Sequence, residues 1–302
     1  MVVLGSLNMD IIVSVDRTPE IGETIEGNNV TYLPGGKGAN QAVGLQQLAG
    51  LVDMVGVVGD DMFGRKIIQQ LSDYKVNTSH IDVNPSLPTG IANIVHLPWD
   101  NSIIIVPGAN QNCSPHFLRK VEEVVAQADL LLMQLEIPTE TVETALTIAK
   151  RNDVKTILNP APAKQLSDDL LKLVDYITPN ETELATLLGI RIETKKDLEA
   201  AFERWKARYS SELVVTLGEK GCAYWKDNHL HIAPSKQIGE LVDTTGAGDA
   251  FNAAFAYGVT RGWDMERNIN FAVTASGLAV TKFGAQAGMP TLKEVEAHVD
   301  RT

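Results

Sequence analysis

The chain has 302 residues, 44% hydrophobic and 21% charged, with a formal net charge of −12. That length holds one large α/β domain or two smaller ones, and the acidic balance excludes sequence-independent nucleic-acid binding, which needs a cationic face. With no basic-then-apolar leader, no apolar run of roughly eighteen residues, and Cys113 and Cys222 far apart without paired spacing, a cytoplasmic protein with reduced thiols is expected.

Val2 to Leu4 reads as a short buried strand that ends in the loop Gly5-Ser6-Leu7-Asn8-Met9-Asp10. There, Asn8 and Asp10 either close an Asx-type turn or face a ligand beyond the strand end. Strands are expected over about 10–15 and 27–33, separated by turn chemistry at Pro19-Glu20-Ile21-Gly22. The stretch Pro34-Gly35-Gly36-Lys37-Gly38-Ala39-Asn40-Gln41-Ala42 then leads into the helical pattern Val43, Leu45, Leu48. Its glycines admit close backbone approach, and Lys37 and Asn40 offer donors to hydroxyls. The spacing matches neither a P-loop nor a dinucleotide fingerprint.

A strand at Asp53–Val58 and an amphipathic helix from Met62 to Tyr74 follow, with Asp60-Asp61 placed to cap the helix rather than to bind metal. Segments 90–97 and 102–106 flank Asp100-Asn101 as a β-hairpin. These strands and the two near the N-terminus predict a small four-stranded sheet, suited to a lid or a dimer contact.

After Ser114-Pro115, helices at about 116–127, 139–150, 181–189 and 195–206 alternate with buried strands at 130–135, 154–158, 176–177 and 213–217. This is the pattern of a mostly parallel sheet covered on both faces, whose ligands sit beyond the carboxyl ends of the strands. Gln134, Glu136, Asn159, Asn180, Thr216 and Gly218 fall there. Asn180 and Glu183 also form a capping-box pattern, and Thr216 to Gly221 reads as a tight turn. His229 and His231 alternate on a strand without a third ligand and make a poor metal site.

The chain is organised around Asp243-Thr244-Thr245-Gly246-Ala247-Gly248-Asp249, followed by the apolar helix pattern of Ala250, Phe251, Ala253, Ala254 and Phe255. Free N–H groups and the helix dipole make such a start an anion site. A carboxylate at Asp249 would repel a phosphate there, unless it serves to take a proton from a hydroxyl attacking that phosphate. The same dipole predicts that Asp249 is ionised at neutral pH. A small-residue helix over 271–280, a loop over 281–288 and a final helix capped by Thr291 and Glu294 complete the chain.

The complete Asp-Thr-Thr-Gly-Ala-Gly-Asp stretch, with Gly-Gly-Lys-Gly-Ala-Asn at 35–40, resembles the ribokinase-like family of carbohydrate kinases over nearly the whole chain. The resemblance implies one α/β kinase domain over 1–302, with a central mostly parallel sheet, helices on both faces and the small sheet as lid. It implies ATP-dependent phosphorylation of D-ribose at the 5-hydroxyl. Alternatives are the same reaction on deoxyribose, fructose or adenosine, or a non-catalytic sugar-sensing module on this fold. A dehydrogenase is disfavoured by the missing fingerprint.

By the same resemblance, Asp249 is the general base and Gly246, Ala247 and Gly248 form the anion hole. Asn8, Asp10, Gly36, Lys37, Gly38, Asn40 and Glu136 bind the sugar. Asn180, Thr216, Gly218, Gly221, Gly248 and Val273 bind the nucleotide, with Mg²⁺ and phosphate near Asn180 and Glu183. Asp243, Thr245, Ala279, Lys282, Gly284 and Gly288 hold a monovalent cation, typically K⁺, mostly through backbone oxygens. A homodimer through the lid sheet is expected, with no nucleic-acid or membrane partner.

Overall fold

Two sheets organise the molecule, which the computed structural model describes over residues 1–97 and 101–299. In chain order come β1 (Val2–Leu4), β2 (Asn8–Ser14), β3 (Asn29–Gly35), α1 (Lys37–Ala49), β4 (Asp53–Gly59), α2 (Met62–Asp73), β5 (Asn77–Asn84), β6 (Gly90–His96) and β7 (Asn101–Val106). The middle holds α3 (Pro115–Lys120), α4 (Glu122–Ala126), β8 (Leu130–Met133), α5 (Thr139–Arg151), β9 (Lys155–Leu158), α6 (Asp168–Leu171), β10 (Tyr176–Ile177), α7 (Glu181–Leu188) and α8 (Lys195–Arg208). The chain finishes with β11 (Glu212–Thr216), β12 (Cys222–Lys226), β13 (His229–Ala233), α9 (Ala247–Thr260), α10 (Met265–Ala279), α11 (Ala285–Gly288) and α12 (Leu292–His298).

The main sheet runs β13-β12-β11-β10-β9-β8-β1-β4-β5 and is parallel from β5 to β11, with β12 and β13 added antiparallel at one edge. Side-chain alternation divides its strands between two cores. Val2, Leu4, Leu131 and Met133 join Leu146 and Trp205, while Val3, Leu130 and Leu132 join Phe251 and Phe255 on the other side. Because both faces are dry, these strands read as unbroken apolar runs. The chain builds from β1 outward to β4 and β5, then resumes at β8 on the opposite side of β1. Strand order therefore reverses between β1 and β8, which opens a crevice beyond their carboxyl ends.

The small sheet has the order β3-β2-β6-β7, with β2 and β6 parallel. It unites the four segments expected from the sequence. His96 pairs with Asn101 across the hairpin, and Asp100 of the expected turn lies outside the described residues. On β7, four consecutive residues, Ile103 to Val106, are between 42% and 61% exposed.

The caps follow the chemistry read from the sequence. Asp61 Oδ1 accepts from Gly64 N at 2.8 Å, Ser114 Oγ from Phe117 N at 3.3 Å, and Thr291 with Glu294 closes a capping box.

Four local expectations are corrected. Asn8 and Asp10 lie on β2 and not in a loop, because the chain begins pairing with β3 and β6 at Asn8 itself. The segment 116–127 is two short helices, broken at Val121, whose φ of −120° leaves the helical range. β5 is an additional edge strand in which Ile81 and Val83 are the only strongly apolar residues, so it lacks the pattern of its neighbours. The loop 281–288 contains α11. Among the described residues, no helix is long and apolar enough to cross a membrane.

Candidate active site

The first turn of α1 docks directly on the end of β1. A Cβ on Gly38 would lie 2.6 Å from the Gly5 carbonyl carbon and from the Ser6 nitrogen, so only glycine permits this approach. Ala39 N donates to Ser6 O at 3.0 Å across the contact. The N-cap, Gly36, has φ 88° and no capping side chain. Glu136, just beyond β8, supplies that function from across the crevice. Its Oε2 accepts from Lys37 N at 3.1 Å and from Ser6 Oγ, which places a carboxylate at the positive end of the helix.

Asn8 and Asp10, two residues apart on β2, share one face of the small sheet. Asn8 Oδ1 accepts from Asn110 Nδ2 at 2.7 Å, and Asn110 Oδ1 in turn accepts from Leu7 N at 2.9 Å. The Asp10 carboxylate occupies the space that a side chain at Gly35 would fill. Burial pushes its pKa up to about 7, aided by Glu136 and Asp249 and opposed by Lys37.

The start of α9 closes the site. Gly246 takes φ 82° as N-cap, and a Cβ on Gly248 would meet nothing within 4 Å, so the turn presents bare backbone to open space. Asp249 lies in the first turn and is 7% exposed. Its Oδ2 accepts from Asn40 Nδ2 at 2.9 Å and its Oδ1 from Gln41 Nε2 at 3.0 Å. The two glycine-rich stretches, 209 positions apart from Asn40 to Asp249, are thus in direct contact.

Electrostatics here work against the ionised form that the helix dipole favours. Burial raises the Asp249 pKa, and Lys37, Asn40 and Gln41 only partly offset it, with Glu136 adding to the rise. The loss of water around a carboxylate that points inward beside other acids opposes its ionisation. Burial pulls the Lys37 ammonium down, yet Asp249, Glu136, Glu183 and Asp10 together hold it net above its ordinary range. Lys37 thus faces four carboxylates, of which Glu136 also faces Lys164.

Further along the sheet, Asn180 and Thr216 form a parallel bridge at the ends of β10 and β11. The Asn180 and Glu183 capping box is present in both directions, with each hydrogen bond 2.8 Å long. Gly218 and Gly221, both at positive φ, shape the turn after β11. Val273 is 5% exposed within the core that contains Phe255.

Near α9, Asp243 Oδ1 accepts from Thr245 N and its Oδ2 from Gly284 N, each at 2.9 Å. A Cβ on Gly288 would lie 2.6 Å from the Ala279 carbonyl oxygen, which puts α11 on the end of α10. Lys282 turns away to pair with Glu294 at 3.1 Å. No group of three or more His, Cys, Asp or Glu suited to a metal occurs among the described residues, and His229 and His231 stay on the edge strand β13.

Several partners of the site have no role that the sequence alone discloses. Gln41 and Ser6 are visible there only as neighbours of named residues. Gln286 sits in a stretch whose composition suggests a loop, although a buried glutamine there is a polar group needing partners. The signal available for each is adjacency to a glycine-rich turn.

A glycine-led helix start, a buried carboxylate in its first turn and the polar side chains of a second glycine-rich turn, brought together on one α/β sheet, are the arrangement of a phosphoryl-transfer enzyme. The chain matches the pfkB family of carbohydrate kinases over residues 1–292 and belongs to that family. It is 41% identical over 296 residues to a ribokinase of Lactococcus lactis, covering 98% of this chain and 95% of the relative. It is 35% identical over 301 residues to a deoxyribokinase of Salmonella typhimurium, covering 98% and 97%. The structure of Arabidopsis thaliana ribokinase complexed with ribose and ATP superposes with a TM-score of 0.93 at 34% identity, covering 100% of this chain and 98% of that one.

Proposed function

We propose that this kinase transfers the γ-phosphoryl group of ATP to the 5-hydroxyl of D-ribose, giving D-ribose 5-phosphate and ADP. The observation that carries the reading is the contact between Asn40, Gln41 and Asp249, which sets a proton acceptor between a hydroxyl-binding turn and an anion cradle. Asn8, Asp10, Gly36, Lys37, Gly38, Asn40 and Glu136 hold the sugar. Asp249 accepts the proton as the hydroxyl oxygen attacks phosphorus, and the N–H groups of Gly246, Ala247 and Gly248 meet the charge on the transferred group. Asn180, Thr216, Gly218 and Gly221 line the nucleotide, with Val273 beneath the base.

Oxygen donors suit both expected ions. Mg²⁺, when bound to the phosphates near Asn180 and Glu183, supplies charge neutralisation through phosphate and water oxygens, since both side chains are engaged in the cap. The corner built by Asp243, Thr245, Ala279, Gly284 and Gly288 offers mostly backbone oxygens to K⁺. Lys282 contributes no more than its carbonyl, its ammonium being paired with Glu294.

A coupled ADP-release assay with ATP, Mg²⁺ and K⁺ tests the reading across ribose, deoxyribose, fructose, adenosine and no sugar. Selective turnover of ribose is expected, falling when tetramethylammonium replaces K⁺. Turnover only with another acceptor keeps the chemistry and rejects ribose; ribose binding without ADP release rejects the kinase reading in favour of a sensor. The deoxyribokinase relative makes deoxyribose the acceptor to compare most closely.

The exposed run Ile103 to Val106 on the edge strand β7 supports pairing of two copies through the small sheets. Sedimentation equilibrium at micromolar concentration should report a dimer; a monomer rejects this contact.

A further inference from the structure

Two chains of side-chain amides converge on Asp249. In the first, Gln70 Nε2 on α2 donates to Gln286 Oε1 at 2.7 Å, Gln286 Nε2 donates to Asn40 Oδ1 at 3.2 Å, and Asn40 Nδ2 donates to Asp249 Oδ2 at 2.9 Å. In the second, Gln134 Nε2 donates to Gln41 Oε1 at 2.6 Å, and Gln41 Nε2 donates to Asp249 Oδ1 at 3.0 Å while also reaching Asn159 Oδ1 at 3.2 Å. Apart from the half-buried Gln70, the amides are almost fully enclosed: Gln41 and Gln134 are 0% exposed, Gln286 3% and Asn40 6%.

An amide has an accepting end and a donating end, so each link fixes the orientation of the next. The ionised carboxylate only accepts, which requires the donating ends of Asn40 and Gln41. Their carbonyls then face away and are met by Gln286 and Gln134. Turning any one amide would set like against like, donor facing donor or acceptor facing acceptor, in a site where an unmatched polar group is costly.

We infer that Gln286 is a positioning residue for the transfer reaction, holding the Asn40 amide with its donating end on Asp249. The inference rests on the reading of Asp249 as the proton acceptor. It also gives the short helix α11 a role in the chemistry. That helix follows Gly284, whose N–H donates to Asp243, so the backbone from Gly284 to Gln286 connects the Asp243 corner to the amide chain on Asp249.

The test is Gln286→Met, which keeps nearly the same volume and removes both hydrogen-bonding ends. Without Gln286 the Asn40 amide is no longer held with its donating end on Asp249, and weakening that hydrogen bond disfavours the ionised form. The acid limb of kcat against pH should therefore move upward, and kcat at neutral pH should fall about tenfold, the scale of one lost hydrogen bond, with a smaller change in the sugar KM. The charged groups facing Asp249 are Lys37 from α1, Glu136 from beyond β8 and Asp10 from β2, and Glu183 from α7 acts on Lys37; the substitution alters none of them.

Gln70→Met, at the half-buried start of the path, should move the limb in the same direction by less, and its profile decides between the outcomes if Gln286→Met does not fold. An acid limb identical to the parent protein in the folded variant, with only the melting temperature lowered, overturns the inference. Asp249→Asn run alongside separates the two readings. Full activity there removes the proton acceptor itself, whereas an inactive Asp249→Asn beside an unshifted Gln286→Met removes only the relay.

Discussion

Asp249→Asn should lower kcat by roughly 10²–10⁴, the range for a positioned proton acceptor, with sugar and nucleotide affinity nearly unchanged. Asparagine preserves the shape and one accepting oxygen, so the pocket keeps its outline while the hydroxyl proton loses its destination. Single-turnover ADP formation and equilibrium binding separate these effects, and full turnover would refute the assignment.

The same substitution has a stability consequence with a definite sign. Burial holds the Asp249 pKa above its unfolded value, so between the two values the native state binds a proton that the unfolded chain has released. Stability therefore falls as pH rises through that window, and the cost of ionising a buried acid is complete above it. Asparagine carries no such cost. The variant should turn over far more slowly yet lose less stability than its parent as pH rises above the ordinary carboxylate range, as read by thermal unfolding across a pH series.

Gly246→Ala is the second substitution expected to act strongly. Gly246 has φ 82°, a left-handed conformation unfavourable to alanine, and a Cβ would lie 2.7 Å from the Cβ of Ala285. Either the turn unwinds, moving the N–H groups of the anion cradle, or α11 is pushed away and carries Gln286 with it. Loss of a well-placed anion donor costs roughly 10²–10³ in kcat. The rate should fall by that order, while sugar affinity, which the proposed function places at the other glycine-rich turn, changes less. Steady-state kinetics at saturating ATP would show it, and a parent-like kcat would mean that this turn does not shape the transition state.

Much of this site is legible in the sequence because backbone geometry demands particular residues. Gly36, Gly38 and Gly246 stand where a positive φ or a backbone contact excludes other side chains, so their spacing survives in the sequence as a pattern. The parallel sheet is legible for a related reason. Strands buried on both faces are short apolar runs, and the helices carry caps such as Asn180 and Thr291.

What stays hidden depends on encounters between distant segments. Nothing local says that Gln286 reaches Asn40 or that Glu136 caps α1, because an amide or a carboxylate has the same local signature whether its partner is solvent or another segment. β5 is hidden because its sides are only half buried and its alternation is weak. The ionisation of Asp249 is illegible for the same reason: the helix dipole is a property of the segment, whereas dehydration depends on what packs over it.

The position of β2 has a consequence for the order of events. Asn8 and Asp10 belong to the very strand that pairs with β3 and β6 in the small sheet, and that strand is joined to β1 through Gly5, Ser6 and Leu7. On the proposed reading, in which Asn8 and Asp10 hold the sugar, recognition of the acceptor and the cover over it belong to one strand. ATP cleavage by water in the absence of sugar is then expected to be slow, as an ADP-release assay without acceptor would show.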